Sequence, residues 1–243
     1  MDYKSQTTMP VGESKPDFSN KAYLLPYINP EGIRFGLIAL ALTLGVFILS
    51  LFCKGVGWLV LPLLLLSWGV FLFFRDPDRY PPDDPKAILS PADGKVCLIS
   101  EVPLPEELGE SQDEKYWRVS VFMSVFNVHV NRMPTAGTIL KRAYIPGKFL
   151  NASLDKASKD NERCNYLIKA ESGETYAVTQ IAGLVARRIV PFVGEGDTLK
   201  RAARFGLIRF GSRLDVYLPK GVKPDVKIGQ IMTAGETVLG RLA

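Results

Sequence analysis

The stretch RFGLIRFGSRLDVYLP runs from Arg204 to Pro219 and reads as two apolar-rich strand segments joined through Gly211-Ser212. A glycine inside a strand pattern weakens it and usually marks a bulge or a close backbone approach. The ordinary reading of this Gly-Ser pair is therefore a bulge or a tight turn. A second reading is chemical. The Ser212 hydroxyl would attack the carbonyl of Gly211 and exchange the amide for an ester, an approach that the missing glycine Cβ permits. Elimination across the serine Cα–Cβ bond would release the upstream chain, and hydrolysis of the resulting dehydroalanine would leave a pyruvoyl group at the new N-terminus. Such a carbonyl forms a Schiff base with an amine and serves as an electron sink for a carbanion.

Outward from this stretch, short strand-like segments follow one another at 95–99, 117–123, 129–133, 137–145, 165–172, 175–183 and 213–219. Gly, Pro, Asn and Asp separate them at short intervals, which predicts a mainly β (α+β) body, an antiparallel sandwich or barrel-like catalytic domain with few short helices. Ser153–Asn161 and GLVARRIV at 183–190 are the helical candidates. The ending VKPDVKIGQIMTAGETVLGRLA has the glycine-spaced alternation of a compact β sandwich.

Upstream, the pattern changes. Ile33–Cys53 holds 21 residues with Arg34 as its single charge, and Val56–Phe74 holds 19 residues with none. At about 1.5 Å rise per residue, each is long enough to cross a hydrocarbon core of about 30 Å. A buried core helix or a signal-peptide core would account for one such run but not for two in succession. Only Lys54 and Gly55 separate them, so they form a membrane hairpin whose flanks lie on one side. Lys15, Lys21 and Arg34 precede or open the first run and Arg75, Arg79 and Lys86 follow the second, against Lys54 alone at the turn. That bias predicts a cytoplasmic catalytic domain. A net charge of +5 suits a body lying against anionic lipid. The domains expected are a polar lead-in over 1–31, the hairpin over 32–75, and a catalytic domain over 76–243 cut between 211 and 212.

Few residues offer acid–base chemistry. His129 is the only histidine. Its ordinary role in a strand would be structural, yet it is the one side chain whose unperturbed pKa lies near neutrality. Asp93 lies in SPADGKV, where Asp-Gly is also a common turn signal. Cys53, Cys97 and Cys164 have neither paired nor metal-ligand spacing, so they fit a reducing compartment and no metal is expected.

Several motifs together resemble one family. FFRDPDR, SPADGKV, VFNVHVNRMP, GKFLNA, NER at 161–163, QIAGLVARRIV and GLIRFGSRLDVYLP occur in order from about residue 71 to 219. This series resembles the phosphatidylserine decarboxylase proenzymes, particularly their short bacterial branch. The resemblance implies a self-cleaving enzyme of the bacterial inner membrane that converts phosphatidylserine to phosphatidylethanolamine and carbon dioxide. Its cofactor would be a covalent pyruvoyl group derived from Ser212, with neither metal nor PLP. Gly211 would end a large chain, 1–211, which stays with a small chain, 212–243. The partners implied are phosphatidylserine and anionic membrane lipid, with no nucleic acid, and a homo-oligomer is compatible.

Carried over residue by residue, Asp93 matches an acidic residue implicated in self-processing, and His129 matches the first histidine of an H-x-x-H-M-P segment. His129 would reprotonate the substrate α-carbon. Arg132 stands where longer relatives have the second histidine, the one assigned to a serine-activating triad. That triad therefore does not transfer whole: either His129 serves both steps, or processing uses strain and another base. Arg213 replaces a small hydroxyl residue. Arg213 and Arg132 are candidates to hold the substrate's phosphate or carboxylate, and an outward-facing strand arginine is the alternative for Arg213.

Two other function classes fit parts of the chain. One is a membrane-anchored biotinyl or lipoyl-like binding module, suggested by GQIMTAGETVLG, although no lysine occupies the hairpin position that such carriers modify. The other is a serine hydrolase pairing Ser212 with His129, although the chain lacks G-x-S-x-G.

Overall fold

The computed structural model describes residues 27–147, 160–183, 188–209 and 212–242. Two apolar helices come first. Helix α1 spans Pro30–Phe52, with Pro30 in its first turn and the Asn29 side chain capping it by accepting from the Glu31 amide at 3.1 Å. A 3-10 segment over Lys54–Leu59 makes the turn, and α2 spans Val60–Phe73. The start expected for the second run, residues 56–59, is therefore wound as 3-10 helix. Helix α1 and the helical run Gly55–Phe73, made of the 3-10 turn and α2, are each long and apolar enough to cross a membrane, and most of their large side chains face outward.

Small residues let the two helices approach. A Cβ on Gly32 would lie 2.1 Å from the Phe74 side chain, and one on Gly36 would lie 2.4 Å from the Phe71 ring. The buried hydroxyls of Thr43 and Ser67 meet across the pair at 2.9 Å. Such small-residue and hydroxyl contacts hold helices together where lipid removes the hydrophobic drive between them.

Among the described residues, the body has thirteen strands in chain order. These are β1 (Ala87–Leu89), β2 (Gly94–Val102), β3 (Tyr116–Met123), β4 (Val130–Arg132), β5 (Gly137–Ile145), β6 (Arg163–Ala170) and β7 (Thr175–Ala182), followed by β8 (Arg188–Pro191), β9 (Thr198–Leu199), β10 (Arg204–Arg209), β11 (Ser212–Tyr217), β12 (Ile231–Met232) and β13 (Val238–Arg241). They form an eight-stranded sheet in the order β12-β2-β3-β11-β7-β6-β5-β9, a three-stranded sheet β4-β10-β8, and the pair β1-β13. Every pairing is antiparallel.

One hydrophobic core joins all three sheets. It contains Ile88 and Leu239 from the pair, Val130, Ile189 and Leu207 from the three-stranded sheet, and Val121, Val178 and Leu214 from the large one. Phe73 and Phe74, at the end of α2, belong to the same core, so the hairpin is packed into the body rather than tethered to it.

The two halves of the opening stretch prove to belong to different sheets. β10 pairs with β4 and β8, while β11 lies between β3 and β7. The chain thus changes sheets between Arg209 and Ser212, instead of bulging within one ladder. Gly211 itself falls outside the described residues.

One helical expectation is overturned in part. Arg188–Pro191 is strand, with Ile189 buried opposite Ile208. Burial of its β-branched side chains against β10 outweighs the local pattern. Residues 184–187 lie outside the described set. Of the candidate helix 153–161, only Asp160 and Asn161 are described, with Asp160 helical.

Candidate active site

Strand alternation fixes what Ser212 faces. Ser212, Leu214 and Val216 lie opposite Met123, Val121 and Val119 on β3, and all five of these partners and neighbours belong to the apolar core. Ser212 is fully buried, and its Oγ has no hydrogen-bond partner among the described residues. A buried hydroxyl left unbonded costs about 1–3 kcal/mol. Such an exception in a native structure calls for an explanation, and a reactive role is one. β11 is paired on both sides, since Ser212 lies opposite Met123 on β3 and Ala182 on β7. The serine therefore opens a strand that stays held even if the chain before it is cut.

Asp93 sits at the same end of the sheet. Lys95 is opposite Phe122, which is opposite Arg213, so the start of β2 and the start of β11 flank the end of β3. With neighbouring strands about 4.8 Å apart, the two starts are separated by about 10 Å. The Asp-Gly of this segment is a close approach of strands rather than a free turn. Gly94 has φ +154°, and a Cβ there would lie 2.1 Å from the Phe122 carbonyl oxygen. The Asp93 carboxylate is pinned: Oδ1 accepts from the Ala234 amide at 2.7 Å, and Arg79 donates to both oxygens at 3.0 and 2.8 Å.

His129 follows the loop that leaves β3 at this end. Its carbonyl accepts from the Ile208 amide at 3.3 Å, which places it beside the strand leading toward Ser212. The ring is fully buried and lies against Phe73, with centroids 4.3 Å apart. Burial lowers its pKa from 6.5 to about 4, the Asn127 carbonyl opposes that shift, and the Arg75 cation adds to it. At neutral pH the imidazole is uncharged. Its Nδ1 lies 2.9 Å from the Asn127 carbonyl oxygen, which can only accept, so Nδ1 carries the proton and Nε2 the lone pair. In this form Nε2 can accept a proton but has none to give. A reprotonating acid would first have to gain its proton within the reaction.

The two candidate substrate-binding arginines are engaged elsewhere. Arg213 is fully buried, not outward-facing, and forks onto Asp215 through Nε and a terminal nitrogen at 2.8 and 2.9 Å. It lies on the opposite face of β11 from Ser212, as neighbouring strand residues must. Arg132 donates to Asp76 at 2.8 Å, to the Pro77 carbonyl at 2.9 Å and to the Ala202 carbonyl at 3.2 Å.

Asp76 was not singled out from the sequence, although it lies in FFRDPDR. Its buried carboxylate receives Arg132 on one oxygen and Arg204, at 2.7 Å, on the other. Its amide donates to the Tyr27 carbonyl at 2.7 Å. It thereby joins the end of the hairpin to β4, which follows His129, and to β10, which leads toward Ser212. A second relay also went unnoticed: the Tyr166 hydroxyl donates to Gln180 at 2.8 Å, and the Gln180 amide donates to Asn131 at 2.7 Å. The only advance signal for the relay was polar residues interrupting apolar strands, while Asp76 lay among other charges after the second apolar run.

The sequence model of the family described as Phosphatidylserine decarboxylase matches residues 67–240. Three similar proteins each bear the name Phosphatidylserine decarboxylase proenzyme. That of Ruegeria pomeroyi is 55% identical over 215 residues, covering 88% of this chain and 95% of its own. That of Cereibacter sphaeroides is 54% identical, covering 90% and 93%. That of Novosphingobium aromaticivorans is 52% identical, covering 89% and 87%.

Proposed function

The chain belongs to the phosphatidylserine decarboxylase proenzyme family, and from that premise we propose how its own residues create and serve the reactive centre. It is a carboxy-lyase that decarboxylates phosphatidylserine to phosphatidylethanolamine in a pyruvoyl-dependent reaction at a membrane. The observation that carries the assignment of the centre is the buried, unbonded Ser212 Oγ. The site fits a pyruvoyl group, because a serine held on both sides in an apolar wall becomes a fixed N-terminus once the bond before it is cut. When present, that group supplies a ketone carbonyl that takes the substrate amine and accepts the electron pair released with carbon dioxide.

In self-cleavage, His129 Nε2 takes the Ser212 hydroxyl proton. A bond forms between Oγ and the Gly211 carbonyl carbon, the Gly211–Ser212 C–N bond breaks, and the leaving nitrogen receives the proton. Loss of the serine α-proton expels the Gly211 carboxylate, and water then replaces the nitrogen, which departs as ammonia. Asp93 fixes the residues before β2 to the segment after the hairpin through Arg79, and to the segment after β12 through the Ala234 amide. In turnover, His129 delivers to the α-carbon a proton acquired during the reaction, and Phe73 keeps water from its ring. Arg132 and Arg213 hold the architecture. The core shared by three sheets also supports the sandwich-like body expected.

Two measurements test this. Denatured wild-type protein should give chains of 211 and 32 residues, the smaller resisting Edman degradation and reacting with hydroxylamine. A single intact chain that is nonetheless active would refute the cleavage. Separately, with the His129 pKa near 4, the base form persists well below neutrality. The self-cleavage rate should hold level from about pH 8 to about pH 5 and decline only as the pH approaches 4. A midpoint at the ordinary histidine value would mean that burial does not lower the His129 pKa in the precursor, and a rate that stays level to about pH 3 would remove His129 as the base.

The excess of lysines and arginines flanking the hairpin favours the cytoplasmic face for the body. Protease added outside intact spheroplasts should spare residues from 86 onward, and digestion of that body would reverse the orientation.

A further inference from the structure

We propose that the loop after β3, Ser124–Asn127, is a second membrane contact, with Val125 and Phe126 inserted at the boundary between lipid headgroups and acyl chains. Phe126 is 82% exposed, as much as Phe52 at the far turn of the hairpin, and Val125 is 43% exposed. This exposure belongs to a built loop. The Asn127 carboxamide oxygen accepts from the Ser124 amide at 2.9 Å and from its hydroxyl at 2.8 Å, and the Asn127 amide donates back to the Ser124 carbonyl at 2.9 Å. The sequence has thus fixed a turn that presents two apolar side chains outward.

The height of the loop relative to a bilayer follows from its link to the hairpin. Arg75, directly after α2, donates one terminal nitrogen to the Leu72 carbonyl at 2.8 Å and the other to the Phe126 carbonyl at 2.5 Å. A cationic residue at the end of a spanning helix lies at headgroup level. A backbone carbonyl bonded to it lies there too, and an exposed aromatic ring at that level is the usual interfacial anchor. Bilayer lipid is therefore the occupant that the fold already brings to this patch. The loop also leads to the chemistry, because the Asn127 carbonyl holds Nδ1 of His129. Seating Phe126 in the interface would fix His129 at a set depth below the lipid surface.

The test is independent of whether the chain cleaves. The full-length protein, carrying Cys53→Ser and Cys97→Ser, receives Phe126→Cys or, as a control, Ser172→Cys, and is labelled with an environment-sensitive fluorophore in phosphatidylcholine–phosphatidylglycerol vesicles. Ser172 is exposed between β6 and β7, at the end of the sheet away from Ser212 and about 23 Å along the strands. The label at 126 should be blue-shifted, lose most of its emission to shallow doxyl-labelled lipid and resist aqueous iodide, while the label at 172 should behave oppositely. Iodide quenching at 126 equal to that at 172 would overturn the proposal. So would protection at 126 from both quenchers, which would mean that a protein surface covers the loop.

Discussion

Ser212→Ala is expected to give one uncleaved, inactive chain that still reaches the membrane and is at least as stable as the wild-type precursor. The first part follows from the chemistry, since no other atom at position 212 can exchange the amide for an ester. The second follows from packing. Ser212 buries its hydroxyl in the apolar face of β11 with no bond among the described residues, and relieving that defect removes a cost of about 1–3 kcal/mol. The hairpin is untouched, so membrane fractionation should be unchanged. Ser212→Cys should still cleave, more slowly, because a thiol also performs the acyl shift. Gel mobility, intact mass and thermal unfolding of the uncleaved chain check these points. Two chains from Ser212→Ala would end the serine mechanism. A Ser212→Ala chain of markedly lower stability would show that the hydroxyl is structural, removing the observation on which the site rests.

Much of this was legible in the sequence because the signals were local. Strand segments read from alternation and punctuation at 117–123, 137–145 and 175–183 fall on β3, β5 and β7. The hairpin was legible because membrane crossing is set by length and apolarity within one segment. What could not be read was the pairing. RFGLIRFGSRLDVYLP looks like one interrupted ladder, and only the partners of each half show that it crosses between sheets. The segment GLVARRIV fails for the same reason: Ile189 is strand because Ile208 lies opposite it, and residue 208 is too distant in sequence to be seen locally. Arg213 read either as a holder of the substrate's phosphate or carboxylate or as an outward-facing strand arginine, because an arginine is rarely buried. Its burial depends on Asp215, two residues on and therefore on the same face of the strand. His129 was identified by its titration range, yet burial lowers its pKa to about 4, out of that range.

Asp76 carries the second large effect, and Asp76→Ala should lower the unfolding temperature of the uncleaved chain by about 10 °C. The carboxylate has no side-chain exposure and lies between Arg132 and Arg204, whose side chains are only 6% and 14% exposed. Removing it leaves two buried cations close together without the anion that offset them. Breaking a buried pair in this way costs about 3–5 kcal/mol, a large share of the about 5–15 kcal/mol that holds a domain folded. Each kcal/mol shifts the midpoint of a body of this size by about 2–4 °C. The sign can be checked internally. Asp76→Ala combined with Arg204→Met removes one of the two stranded cations, so it should regain part of the lost stability even though it changes more atoms. A neutral effect of Asp76→Ala, or a double variant worse than the sum of the single ones, would mean that the three charges do not act as a unit. The effect should also extend beyond stability, because Asp76 joins the end of α2 to β4 and β10. These strands flank His129 on one side and lead toward Ser212 on the other. Uncoupling them should slow self-cleavage at temperatures where the chain remains folded, a loss that a purely global destabilisation would not produce.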